Sequence, residues 1–133
     1  NILVNDDNSK NTQIAYLLLI KRIAESGPDF LLNENVDSAT ALTEYFSQTA
    51  DHLQKMITIL YAIKVPPSWK SIHVSLIEFF TKQKNVFQSL AAAETDPLRF
   101  YIAAYKLLPQ EIEKEFTAIQ DEISQKIQNE KLN

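Results

Sequence analysis

Two histidines, one methionine and a run of carboxylates are the residues of this chain best equipped to do chemistry. Imidazoles ligate metals and carry protons near neutral pH, so His52 and His73 come first. They stand on opposite sides of Val65-Pro66-Pro67, each inside a helical pattern. If the two helices fold back at Pro66, a rise of ~1.5 Å per residue sets His52 ~21 Å and His73 ~10 Å from the turn. The two imidazoles are then about two helical turns apart and cannot share an ion. A carboxylate-bridged di-iron bundle needs Glu-x-x-His on two helices. Here Thr49 precedes His52 by three and Lys70 precedes His73 by three. Met56 comes close to His73 in height, as a Met/His haem pair requires, but it falls on an apolar seam where methionine is ordinarily filler. No metal, haem or other cofactor is expected.

Other chemistry is excluded more directly. The chain has no cysteine, which removes thiolate catalysis, disulfides and cysteine metal sites. Gly27 is its only glycine, so a glycine-rich phosphate loop cannot be built. No serine or threonine has the partners of a triad. Net charge is −4, and no cluster of Lys and Arg offers itself to phosphates, so nucleic acid is not an expected partner. The carboxylates Glu111, Glu113, Glu115, Asp121, Glu122 and Glu130 mix with Lys114, Lys126 and Lys131. Ile112, Phe116, Ile119, Ile123 and Ile127 already define the inward stripe of that segment, so these charges read as a solvated face. The chain is not expected to be an enzyme, and no catalytic residue is assigned.

The elements that position these groups are clear in the pattern. Ala39, Leu42, Phe46, Thr49, Leu53, Met56, Leu60 and Ile63 step by three and four. Beyond the proline turn, Trp69, Ile72, Leu76, Phe79, Gln83, Val86, Leu90 and Ala93 repeat the step. Each set lies on one side of a helix, as in coiled-coil-like packing. Four helices are predicted and no strand. The first runs from Asn11 or Thr12 to Ser26, stopped by Gly27-Pro28. The second is capped by Asp37 or Ser38 and runs to Lys64. The third is capped by Ser68 and runs to about Glu94. The fourth starts at Asp96-Pro97, with Asp as cap and Pro in the first turn, and reaches about Gln128 with a kink at Pro109. The expected fold is all-α, an antiparallel up-down-up-down four-helix bundle, with residues 1–10 a flexible lead-in and 11–133 one domain.

In that arrangement His73, counted from the Asp96-Pro97 turn, stands level with about Ile119, so Glu115 and Glu122 are its expected polar partners. His52 is expected to face solvent. Phe79 and Phe80 cannot both point along one narrow seam: the buried face is wide, or Phe80 marks a contact surface. Phe80 and Tyr101 are the candidates for that surface.

Val65-Pro66-Pro67, His73, Leu76, Phe79-Phe80, Asp96-Pro97-Leu98-Arg99 and Tyr105 resemble the "VP, six residues, H" element and following "DP" helix start of a group of small helical-bundle proteins in candidate-phylum bacteria. The resemblance covers about Ala39 to Gln128. It implies a helical domain outside the cytoplasmic membrane, behind an N-terminal anchor, and a fixed structural job for His73, such as pinning the third helix to the fourth. It supplies no activity. The first residue is Asn, not Met, and an anchor or signal would be expected upstream of it.

The expected function is a non-enzymatic interaction or scaffold domain, extracytoplasmic and membrane-anchored, with a protein partner in an envelope or surface assembly. Two alternatives remain: a bundle that binds a small ligand or metal through His73, and an intracellular, cytoplasmic adaptor. Metal analysis of the purified protein is expected to find no stoichiometric transition metal; one ion per chain ligated by His73 would overturn this.

Overall fold

The computed structural model describes residues 1–26, 39–104 and 112–132, with the side chains of residues 39 and 40 left aside. The chain is all-α, apart from one two-stranded sheet. In order come β1 (Leu3–Val4), α1 (Lys10–Glu25), α2 (Ala39–Ala62), β2 (Lys64–Val65), a 3₁₀ turn (Pro67–Trp69), α3 (Lys70–Leu90), α4 (Pro97–Ile102) and α5 (Glu113–Asn129).

The two seams read from the sequence are buried from Thr49 to Leu90, while Leu42, Phe46 and Ala93 at their outer ends are half-buried. On α2, Thr49, Leu53, Met56 and Leu60 are buried, followed by Ile63; on α3, Trp69 leads into Ile72, Leu76, Phe79, Gln83, Val86 and Leu90. Ala50, Ile57, His73, Ile77 and Phe87 join them, so the covered face is wider than a two-position stripe. The contacts Leu60–His73, Gln54–Lys84 and Phe46–Phe87 run in opposite directions along the two helices, as the proline turn requires.

Pro66 and Pro67 end α2 as expected, but Ser68 does not cap α3. The 3₁₀ turn comes first, and the Ser68 hydroxyl donates instead to Asn8 Oδ1 at 2.9 Å. Lys64 is not in the last turn of α2, which ends at Ala62; it lies in β2. Strands form as well, where none is expected. Leu3 and Val4 pair in parallel with Lys64 and Val65, and Asn5 N donates to the Val65 carbonyl at 2.8 Å. Two residues per strand leave no alternation to read, and parallel pairing joins segments some 60 residues apart, so no local pattern announced it. Residues 1–9, compositionally a loose lead-in, make these contacts. They also start α1: Ser9 caps it by accepting from Thr12 N, and Asp7 accepts from Ser9 N and the Thr12 hydroxyl. The Gly27-Pro28 stop and the Asp37 or Ser38 cap lie outside the described residues.

Asp96 caps α4 as read, its carboxylate accepting from Arg99 N at 3.2 Å, with Pro97 in the first turn. Among the described residues the helical segment beyond gives α4 and α5; Pro109 and its expected kink lie outside them. At its far end α5 closes with Lys131 N donating to Gln128 O and Leu132 N to Ile127 O, with Lys131 at φ 52. This is a Schellman closure with lysine in the left-handed position that glycine favours, and it turns Leu132 inward to be buried.

Leu53 is fully buried, whereas Leu98 is 68% exposed on α4. Leu53→Ala is therefore expected to cost about 2–5 kcal/mol in urea unfolding and Leu98→Ala less than about 0.5 kcal/mol. Equal costs would show that the seam does not carry the fold.

Candidate functional site

The polar side chains that the structure brings together sit at the proline-turn end of the α2–α3 hairpin. His73 follows the turn by two helical steps and is completely buried. Its Nε2 lies 2.8 Å from the Leu60 carbonyl in the last part of α2, and its Nδ1 lies 2.8 Å from the Tyr16 hydroxyl on α1. A carbonyl oxygen only accepts, so Nε2 carries the hydrogen and donates. In the neutral ring Nδ1 then has the lone pair, and the Tyr16 hydroxyl donates to it. One imidazole thus joins three helices, with both nitrogens used.

The neighbours repeat this logic. Trp69, also completely buried, donates its indole Nε1–H to Gln13 Oε1 at 2.8 Å. Gln13 is itself buried and donates from Nε2 to the Asn8 carbonyl at 2.9 Å. The Tyr16 ring leans against both Trp69 and His73, with centroids 5.8 and 5.7 Å apart. From α5, Lys126 places its ammonium 5.5 Å from the Trp69 ring centroid and pairs with Glu130 at 3.2 Å. Burial disfavours charge throughout this cluster. It pushes the Tyr16 phenol above its ordinary value and the His73 imidazole below 6.5, the second effect partly offset by the Leu60 carbonyl. Glu130 is held below the usual carboxylate range, first by a hydrogen bond from Gln13 and then by Lys126.

The expected partners of His73 are therefore corrected. Both ring nitrogens are engaged by Tyr16 and Leu60, so neither Glu115 nor Glu122 bonds to it. Glu115 pairs instead with Lys82 of α3 at 2.6 Å, and Glu122 is exposed. The contacts Trp69–Lys126, Phe79–Phe116 and Lys82–Glu115 place His73 level with residues near 122, about three residues beyond the expected Ile119. The count assumed a regular α-helix from Pro97, whereas residues 103–104 and 112 are π-helical. Without a carboxylate, burial shifts the imidazole down. His73 pins α3 to α1, not to the last helix. Sequence reading missed Tyr16, Gln13 and Asn8. The available signal was a glutamine and a tyrosine three apart on the inward side of an otherwise apolar helix, where a polar group needs a partner.

His52 is not simply solvent-facing. It is half-buried, and its Nε2 donates to the Ser26 carbonyl at the end of α1 at 2.7 Å. Phe80 is half-buried against the core and meets the Phe79 ring at 5.5 Å, while Tyr101 is 52% exposed. Phe116, read as part of the inward stripe, is 47% exposed though its ring meets Phe79. With both nitrogens occupied, His73 has no lone pair to offer a metal or ligand in this arrangement. Among the described residues no group of three or more His, Asp or Glu is placed to hold a metal ion.

Comparison with family models, with curated proteins and with solved structures finds no match for this chain.

His73→Ala strands a buried phenol, leaves the Leu60 carbonyl with only the long Ile63 amide bond at 3.4 Å and opens a cavity, and is expected to cost at least about 2 kcal/mol. His52→Ala removes one partly exposed bond, at about 0.5–1.5 kcal/mol. Thermal unfolding of both variants beside wild type checks the order; a larger loss for His52→Ala would reject the assignment of His73 as the central tie.

Proposed function

We propose that this chain is a non-enzymatic helical interaction domain that acts through a protein partner, placed outside the cytoplasmic membrane behind an anchor as part of an envelope or surface assembly. The four-helix up-down-up-down bundle belongs to the same proposal. It is supported by the directions of the pairings: α1 runs alongside α3 through Gln13–Trp69 and Tyr16–His73, while α2 and α5 run against α3.

The observation that carries the interaction reading is a pair of exposed apolar faces on helices whose chemistry-bearing groups are turned to internal bonds. On α1, Leu18 is 60% exposed and Ile14, one turn earlier, 37%. On α4, Leu98, Tyr101 and Ile102 share one face and are 68%, 52% and 40% exposed. A helix apolar on its inner and outer sides is ordinarily covered on both, and exposed apolar patches mark association surfaces. The membrane placement is supported only by the resemblance. Among the described residues no helix is long and apolar enough to cross a membrane.

Photo-crosslinking side chains installed at Leu18 and Leu98, and at exposed Lys55 as control, test the reading in the native cell. A discrete protein adduct from Leu18 or Leu98, absent from Lys55 and lost in a Leu18→Glu, Leu98→Glu chain of unchanged helicity, is expected. Adducts no different from those of Lys55 would overturn it. A fused reporter enzyme active only outside the cytoplasm tests the placement separately.

A further inference from the structure

The way α1 is held differs from the way α2 and α3 hold each other. The hairpin is closed by an apolar seam. Of the three fully buried side chains of α1, two are polar, Gln13 and Tyr16, and the third is Ile23. Leu17 and Ile20 add partial burial. The attachment of α1 therefore depends heavily on hydrogen bonds, one of them to an imidazole whose neutral form satisfies the partners on both of its nitrogens.

We propose that the Tyr16–His73 bond is an acid-released latch: protonation of His73 frees α1 from the α2–α3 hairpin while the hairpin stays folded. Nε2–H continues to donate to Leu60 in either state. Taking one proton from solvent, Nδ1 changes from acceptor to donor, and the Tyr16 hydroxyl keeps the contact only by turning to accept, which takes away the acceptor of its own buried hydrogen. The cation formed is completely enclosed, and among the described residues nothing negative faces it. From α1 the facing group is the Tyr16 phenol; from α2, the Leu60 carbonyl; from the 3₁₀ turn, the uncharged Trp69 indole. The charges of α5 at this level are Lys126, above the Trp69 ring, and Glu130, already paired with Lys126 and Gln13. The imidazolium reaches water most readily when the cover formed by α1 lifts, because the seam on its other side is buried and apolar.

The sign follows from burial. The folded-state value of His73 lies below 6.5, so its contribution to stability is fully present above about pH 6.5 and is lost as pH falls from there towards the folded value. Glu130, also depressed, contributes above about pH 4.5 and is lost only below it. The two acid-sensitive ties on α1 are separated by their windows.

Trp69 is the only tryptophan and touches Tyr16 and Gln13, so it reports release directly. The full chain is titrated from pH 8 to 4 with Trp emission, acrylamide quenching and far-UV circular dichroism read in parallel. The expected result is a red shift and a severalfold rise in quenching below pH 6.5 and above pH 4.5, with helicity falling by no more than the share of α1. His73→Gln keeps a donor for Leu60 without a titrating ring, and is expected to abolish this step. Glu130→Gln is expected to leave it in place. Should His73→Gln fail to fold, ¹⁵N chemical shifts of His73 in the wild-type chain decide: Nδ1 must become protonated together with the exposure of Trp69. Quenching that stays flat across the window, the same step in folded His73→Gln, its loss in Glu130→Gln, or Nδ1 protonation with Trp69 still shielded would each overturn the latch.

Discussion

A single buried imidazole, donating to a carbonyl at the end of one helix and accepting from a phenol on another, is the constraint around which this fold is arranged. A fully enclosed histidine is tolerable only when each nitrogen has a partner of the right kind. The Leu60 carbonyl fixes the tautomer, and the tautomer fixes what α1 must present. Tyr16 supplies the donor, Gln13 takes the neighbouring indole hydrogen, and Asn8 closes the chain of bonds at Ser68 and Gln13. Moving α1 by one residue along its axis would turn these groups away together.

The division of labour between apolar and polar contacts follows from this. The α2–α3 hairpin is joined chiefly by apolar side chains, with the buried His73–Leu60 bond among them. The attachment of α1 and of the residues before it is directional, which gives it a unique position at the cost of sensitivity to protonation. Lys126 and Glu130 extend the same cluster towards α5, where the Schellman closure at Lys131 folds Leu132 back into the core. The faces left outward, Ile14 and Leu18 on α1 and Leu98, Tyr101 and Ile102 on α4, are apolar without being needed for this internal arrangement.

The aromatic residues divide in the same way. Trp69, Phe79 and Phe87 are buried in α3 or at its start, Phe80 is at the margin, and Tyr101 and Phe116 are exposed. The adjacent Phe79 and Phe80 are accommodated by a broad inward face, with Phe79 filling the core and Phe80 packed beside it.

The seams of α2 and α3, the proline turn between them and the Asp96-Pro97 helix start were legible in the sequence because each depends on neighbours within a few residues: a three-four step, a ring that fixes φ, a carboxylate one turn from a free N–H. So was the importance of His73, as an imidazole on the flank of an apolar seam. Its partners were not. Tyr16 and Leu60 meet it across 57 and 13 residues, and which polar group on a facing helix reaches a given height depends on a register that no local pattern fixes. The parallel pairing of Leu3–Val4 with Lys64–Val65 was likewise decided by the docking of α1, since strands of two residues have no periodicity of their own. Local patterns determined which segments are helical and which faces are apolar; the long-range polar bonds that select one packing of those segments belong to the tertiary structure, because a hydrogen bond requires two distant groups to arrive at the same place in the right protonation state.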